Sequence, residues 1–150
     1  MPLPAVILVG GKGTRLRPLT ERTRKDMLPL VDRPLLAYTF EHLRRHGVER
    51  AVLSCGYLPT QIRGHFGDEW HGLRLEYRVE DEPLGTGGAV RFAAEGIDGP
   101  FLAVNGDSLR EADLAALAAF HREKGAKATI LLTPVADPIR KFAGAWHRRA

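Results

Sequence analysis

Gly10, Gly11 and Gly13, followed by Thr14 and Arg15, are the residues of this chain whose type and spacing speak most directly to chemistry. Without Cβ atoms the glycines can take φ > 0 and let an anion approach the backbone N–H groups, and Arg15 adds a planar fork of donors matched to phosphate oxygens. A loop of this kind suits a nucleotide or a sugar phosphate. A second set, Asn105, Gly106 and Asp107, directly follows the apolar run Phe101 to Val104. A carboxylate emerging from a strand suits Mg²⁺, which takes few protein ligands because phosphate and water oxygens complete its octahedron. Alone, that triplet also makes a good turn. A third set runs Glu80, Asp81, Glu82, then Gly85, Thr86, Gly87 and Gly88. The six histidines (42, 46, 65, 71, 121 and 147) show no metal-ligand spacing.

Two common phosphate-loop motifs are excluded by the letters. The dinucleotide fingerprint GxGxxG requires glycine at 16, where Leu16 stands, and GxxxxGK[ST] occurs nowhere. Taken together, GGKGTRLRPLT (residues 10–20), Lys25 and LPLVDRPLL (residues 28–36) closely resemble the signature of the sugar-1-phosphate nucleotidyltransferases, the nucleoside diphosphate sugar pyrophosphorylases. More than ten positions agree in order. The resemblance implies a Rossmann-like, three-layer α/β fold with a mainly parallel sheet. It also implies a reaction in which an oxygen of a sugar 1-phosphate attacks the α-phosphorus of a nucleoside triphosphate and pyrophosphate leaves, with Mg²⁺ as cofactor. Carried over residue by residue, Leu8, Val9, Gly10 and Gly11 hold base and ribose through the backbone. Gly13 and Thr14 line the phosphates, and Arg15 stabilises the triphosphate during displacement. Lys25 bridges the nucleotide and sugar phosphates, Asn105 and Gly106 contact the nucleotide, and Asp107 binds the metal.

In the same resemblance EDEPLGTGGAV is the base-reading loop, with Gly85 and Thr86 near the base edge and Glu80 facing its Watson–Crick side. A carboxylate only accepts, so it pairs with the N1–H and amino group of guanine, and GTP is the favoured nucleotide. Mannose and heptose 1-phosphates are the sugars toward which the loop leans. One departure stands out: the family usually reads PKP around the lysine, whereas this chain reads Arg24, Lys25, Asp26. Two fixed φ angles are lost and a carboxylate is set beside the cation, so a looser or partly neutralised Lys25 is expected.

These residues need a scaffold. Ala5 to Val9 reads as a central parallel strand with both faces covered. Leu36, Phe40 and Leu43, at i, i+4 and i+7 between Pro34 and Gly47, read as an amphipathic helix. Arg50 to Ser54 is a strand, Pro59 to Phe66 a helix, and Leu73 to Val79 a half-buried strand. Gly85 to Gly88 is an open loop before a brief helix, Ala89 to Ala94. Phe101 to Val104 is a buried strand. Leu114 to Lys124 is a helix capped by Asp113 and ended by Gly125, and Ala128 to Thr133 is a fifth strand. Alternation of strands and helices predicts right-handed crossovers and ligands at the carboxyl ends of parallel strands.

At 150 residues the chain fits one domain spanning 1–150, large enough to bury about 68–70% of its unfolded surface. With 22 basic and 18 acidic side chains the net charge of +4 suits anionic substrates without forming a nucleic-acid stripe. Cys55 is the only cysteine, so no internal disulfide forms, a packed thiol is expected, and a reducing cytoplasm fits. No leader or membrane-spanning run is seen, so no membrane partner is expected.

The resemblance covers about residues 3–138 and fades in the basic tail 139–150. It implies the nucleotide-binding half of a longer enzyme, with self-association through an uncovered sheet edge. Turnover by this chain and nucleotide binding without turnover both remain open at this stage.

Overall fold

The structure is a computed structural model that describes residues 3–11, 13, 16–56, 59–109, 111–132 and 134. In chain order the elements are β1 (Ala5–Val9), a 3-10 turn (Lys25–Met27), β2 (Pro29–Leu30), β3 (Arg33–Pro34), α1 (Leu35–Arg45), β4 (Arg50–Cys55), α2 (Pro59–Phe66), β5 (Glu69–Trp70), β6 (Leu73–Val79), α3 (Gly85–Ala93), β7 (Leu102–Asn105) and α4 (Leu114–Lys124). They form two compact units, Met1–Leu114 and Ala115–Ala150.

In the first unit one sheet has the order β5-β6-β4-β1-β7. β6, β4, β1 and β7 run parallel, with Val9 beside Cys55, Cys55 beside Val79, and Leu8 beside Asn105. The two-residue β5 is antiparallel to β6. Side chains alternate across β1 as a strand requires. Ala5, Ile7 and Val9 join Leu36, Phe40 and Leu43 of α1 and Ile62 and Phe66 of α2 in one core, whereas Val6 meets Val52 and Ala93 in a second, smaller one. Helices therefore cover both faces, and the expected three-layer α/β arrangement holds. Phe40 anchors the larger core, edge-on to Phe66 with ring centroids 4.9 Å apart. Each large apolar side chain buried this way stabilises by roughly 1.5–3 kcal/mol.

α1 follows the predicted apolar stripe and stops where Gly47 takes φ 78. β2 and β3 form a hairpin whose tip residue, Val31, is 95% exposed at φ 64. The Tyr38 hydroxyl, on α1, lies 2.7 Å from the Leu30 carbonyl and 2.9 Å from the Asp32 carboxylate, which ties the hairpin to the helix.

Three expectations are corrected. Gly85 to Gly88 is not an open loop: α3 already begins at Gly85. A Cβ at Gly88 would come within 2.8 Å of the Leu84 Cβ, so glycine there permits close packing. Second, β7 is half-covered rather than buried. Leu102 and Val104 lean into the larger core while Ala103 and Asn105, on the opposite face, are exposed, because neither core cluster extends over that face of β7. Third, residues 128–132 form no strand, and Thr133 lies outside the described residues. Ile130 and Leu132 are exposed there. Apolar and β-branched composition makes a strand only where another strand supplies hydrogen-bond partners.

The second unit holds the rest of α4, whose bounds match the sequence reading. Gly125 at φ 54 ends the helix, its N–H and that of Ala126 donating back to the Arg122 and His121 carbonyls.

Candidate active site at the carboxyl edge of the sheet

Counting only parallel strands, the spatial order is third, second, first, fourth, so the winding reverses between β1 and β7. Chains leaving two such strands diverge and open a crevice at their carboxyl ends. Gly10 and Gly11 leave β1 there, and Gly106 and Asp107 leave β7. The Gly106 N–H donates to the Leu8 carbonyl at 3.0 Å, so the two exits are joined.

Gly11, exposed at φ 115, occupies backbone space that glycine reaches far more readily than other residues. Gly13, at φ 57, is needed for a second reason. A Cβ on it would lie 2.8 Å from Thr20 Cγ2 and 3.3 Å from Lys25 Cβ. The Thr20 hydroxyl also donates to the Gly13 carbonyl at 2.7 Å, closing the loop onto the segment that bears Lys25. Thr14 and Arg15 lie outside the described residues.

Lys25 and Asp107, 82 residues apart, meet directly, with Nζ to Oδ2 at 2.6 Å. The Lys25 hydrogen bond holds the Asp107 carboxyl below the usual carboxylate range against the opposing effect of burial, and the Ser108 hydroxyl donates to its other oxygen at 3.3 Å. An anionic carboxylate and an ammonium thus stand together beyond the carboxyl ends of β1 and β7, both partly exposed. Gly106 is not open to a ligand. It is buried, and a Cβ would meet Val9 Cγ1 at 2.7 Å and Leu36 Cδ1 at 3.1 Å.

The neighbourhood of Lys25 departs from the sequence expectation. Asp26 does not lie against the lysine: it turns inward, buried, and pairs with Arg24 at 3.4 Å. Arg24 also donates through Nη2 to the Val9 carbonyl, the last of β1. Burial pushes the Asp26 carboxyl up, with Arg24 opposing. Nor is the segment loosened at its start, since Arg24 keeps φ −62, an angle a proline would fix.

Leu8 and Val9 lie within β1, their carbonyls taken by Gly106 and Arg24. Glu80 emerges from β6, and its N–H donates to the Cys55 carbonyl at 3.0 Å. One carboxylate oxygen accepts from the Ser54 hydroxyl at 2.9 Å and the other from the Leu84 N–H at 3.2 Å. Its position is therefore set from below by β4 and from the side by the turn into α3. Gly85 and Thr86 are exposed in the first turn of α3. Asn105 is exposed at the end of β7. Cys55 is buried and its thiol is pushed up to about 12 by desolvation, so it packs rather than reacts.

A match to the family described as nucleotidyl transferase runs over residues 4–141. The chain belongs to that family. Among relatives, the nucleotidyl transferase domain is 43% identical over 136 residues to a mannose-1-phosphate guanylyltransferase of Mycobacterium tuberculosis, covering 89% of this chain and 38% of that protein. It is 37% identical to the D-glycero-alpha-D-manno-heptose 1-phosphate guanylyltransferase of Aneurinibacillus thermoaerophilus, covering 90% and 59%. Among solved structures it superposes on HddC from Yersinia pseudotuberculosis complexed with GMP-PN at a TM-score of 0.72 and 33% identity, over 79% of this chain and 54% of that one. The chain thus spans between about two-fifths and three-fifths of the length of these relatives.

Of the residues around this candidate site, Ser54 carries no signal in the sequence, since a serine inside a strand reads as core. Arg24 and Asp26 stand out in the sequence only as neighbours of Lys25; that they pair with each other and that Arg24 reaches the end of β1 depends on how the chain folds.

Proposed function

We propose that this chain forms the nucleotide-binding part of a sugar-1-phosphate guanylyltransferase. The observation that carries the reading is the Lys25–Asp107 pair set beside the Gly10–Gly13 loop, at the point where the sheet reverses its winding. An ammonium, an anionic carboxylate and a glycine loop whose backbone a ligand can approach are what two polyanions and a divalent ion require when alignment and charge neutralisation are the catalyst's task.

In the proposed reaction an oxygen of the sugar 1-phosphate displaces pyrophosphate from the α-phosphorus of GTP, with no covalent enzyme intermediate. Gly10, Gly11 and Gly13 give the phosphates access to the backbone, with Thr14 and Arg15 assigned beside them. Lys25, on a long stem, follows the charge from nucleotide to sugar phosphate. Asp107 fits Mg²⁺: it is a partly exposed carboxylate, held ionised, at the crevice where phosphate oxygens would complete the coordination. When bound, Mg²⁺ would neutralise triphosphate charge. Gly85, Thr86 and Asn105, all exposed, are assigned to nucleotide binding, while Leu8, Val9 and Gly106 hold the ends of β1 and β7 together beneath the site rather than touching the nucleotide. Glu80, fixed by Ser54 and Leu84, is assigned to guanine, its carboxylate accepting from the base. Mannose or heptose 1-phosphate is the proposed acceptor, in the cytoplasm, where soluble sugar phosphates and a reduced Cys55 both fit.

The test is a titration of the chain with GTP, dTTP, UTP, CTP and ATP in the presence of Mg²⁺. GTP should bind tightest, and Glu80→Gln should narrow its lead because an amide replaces one acceptor by a donor. Equal affinity for all five in the parent chain would remove the guanylyl assignment.

A further inference from the structure

Lys25 reaches Asp107 with the tip of its side chain, while its backbone is anchored largely by its neighbours. Its side chain is 37% exposed, whereas those of Arg24 and Asp26 are 8% and 4% exposed. Around it Met27 N–H donates to the Arg24 carbonyl at 3.0 Å and Leu28 N–H to the Lys25 carbonyl at 3.2 Å, forming the 3-10 turn. Arg24 fastens that turn at two places. Its guanidinium reaches the Val9 carbonyl, where β1 gives way to the glycine loop, and its backbone N–H donates to Gln61 Oε1 on α2 at 3.3 Å. Gln61 in turn donates to the Arg22 carbonyl at 3.2 Å.

A buried ion pair is a poor source of stability, since desolvating two charges consumes most of their attraction and an apolar pair often does as well. What the pair supplies here is direction: the charge on Asp26 holds the guanidinium that joins the turn to the end of β1. We propose that Arg24 and Asp26 are positioning residues that aim the Lys25 ammonium at the substrate phosphates. The inference rests on the phosphate-binding reading of the site given above.

The experiment compares Mg²⁺·GTP with guanosine, which lacks phosphates, by calorimetric titration of the 150-residue chain. Asp26→Asn should weaken Mg²⁺·GTP about tenfold, within the range of coupling expected between contacting residues, and leave guanosine within about twofold. In a Lys25→Ala background the same substitution should produce no further loss, because there is no ammonium left to misplace. Should Asp26→Asn fail to fold, the double variant Arg24→Met, Asp26→Leu removes both charges together and keeps the interior apolar. It should keep a Tm near that of the parent and show the same selective loss. Equal losses for both ligands, additive losses with Lys25→Ala, or unchanged Mg²⁺·GTP affinity in the double variant would overturn the positioning role while leaving the site assignment intact. No Mg²⁺·GTP binding by the parent would overturn the site assignment and this inference with it.

Discussion

Asp107 and Gly106 sit side by side at the end of β7 but do opposite kinds of work. Asp107 carries charge toward the crevice. Asp107→Asn keeps the shape and removes the charge, so base recognition should persist while the gain in GTP affinity on adding Mg²⁺ shrinks. Titrations with and without the ion check this, and a Mg²⁺ response equal to that of the parent would leave Asp107 as a turn residue. Gly106 works by being small. A methyl there would press into Val9 and Leu36, both buried and one stiff at χ1, so Gly106→Ala should cost about 1–3 kcal/mol. For a chain of this size each kcal/mol lowers Tm by about 2–4 °C, which a thermal melt resolves. No shift would mean that the helix and strand open to accept the methyl.

The elements show which parts of the fold a sequence carries on its surface. β1, α1, β4, α2, β6 and α4 were legible because each carries a local signal: an apolar run, an i, i+4, i+7 stripe, strict alternation, or a boundary residue such as Pro59 at the start of α2 and Gly125 after α4. Elements that depend on a distant partner were not. β5 is two residues that pair only because β6 lies beside them, and the half-exposure of β7 reflects the core covering only one of its faces. The start of α3 was obscured by glycines whose purpose, at Gly88, is packing. Within the site the sequence gives the types of Lys25 and Asp107 but not their contact, and it misdirects Asp26, whose partner depends on where β1 ends. Cross-strand chemistry adds its own signature. Arg50 on β4 grips Glu76 on β6 with two bonds of 2.9 and 3.0 Å and holds that carboxyl below its ordinary 4.5. A carboxylate depressed in this way stabilises above its unfolded pKa, and the gain is lost as pH falls through the folded value. The parent should exceed Glu76→Gln by about 0.5 kcal/mol at neutral pH, since the pair is partly screened. The difference should close in melts recorded progressively below pH 4.5, and a gap that persists in strong acid would point to packing rather than charge.

At the scale of the molecule, no described helix is long and apolar enough to cross a membrane. Among the described residues the outer edge of β7 has no partner strand, and an edge strand of this kind is a template for pairing with another chain. In isolation this 150-residue chain should self-associate, seen by light scattering as a mass above that of one copy, and should bind GTP without efficient transfer. Holding both reactants near attack geometry is worth up to roughly 7–11 kcal/mol, and the relatives it matches are far longer. Pyrophosphate release at about 1–10³ s⁻¹ by a monodisperse monomer would show that the acceptor is already held in full.

The parallel placement of β7 against β1 also makes the site depend on long-range pairing. Asp107 lies 82 residues after Lys25, so their pair forms only when distant parts of the chain meet. Closing so long a loop is the slow kind of event in folding, delayed further when strands must meet in parallel. The cation of the site and its counter-charge are therefore brought together only by the docking of β7 on β1, a pairing between distant parts of the chain.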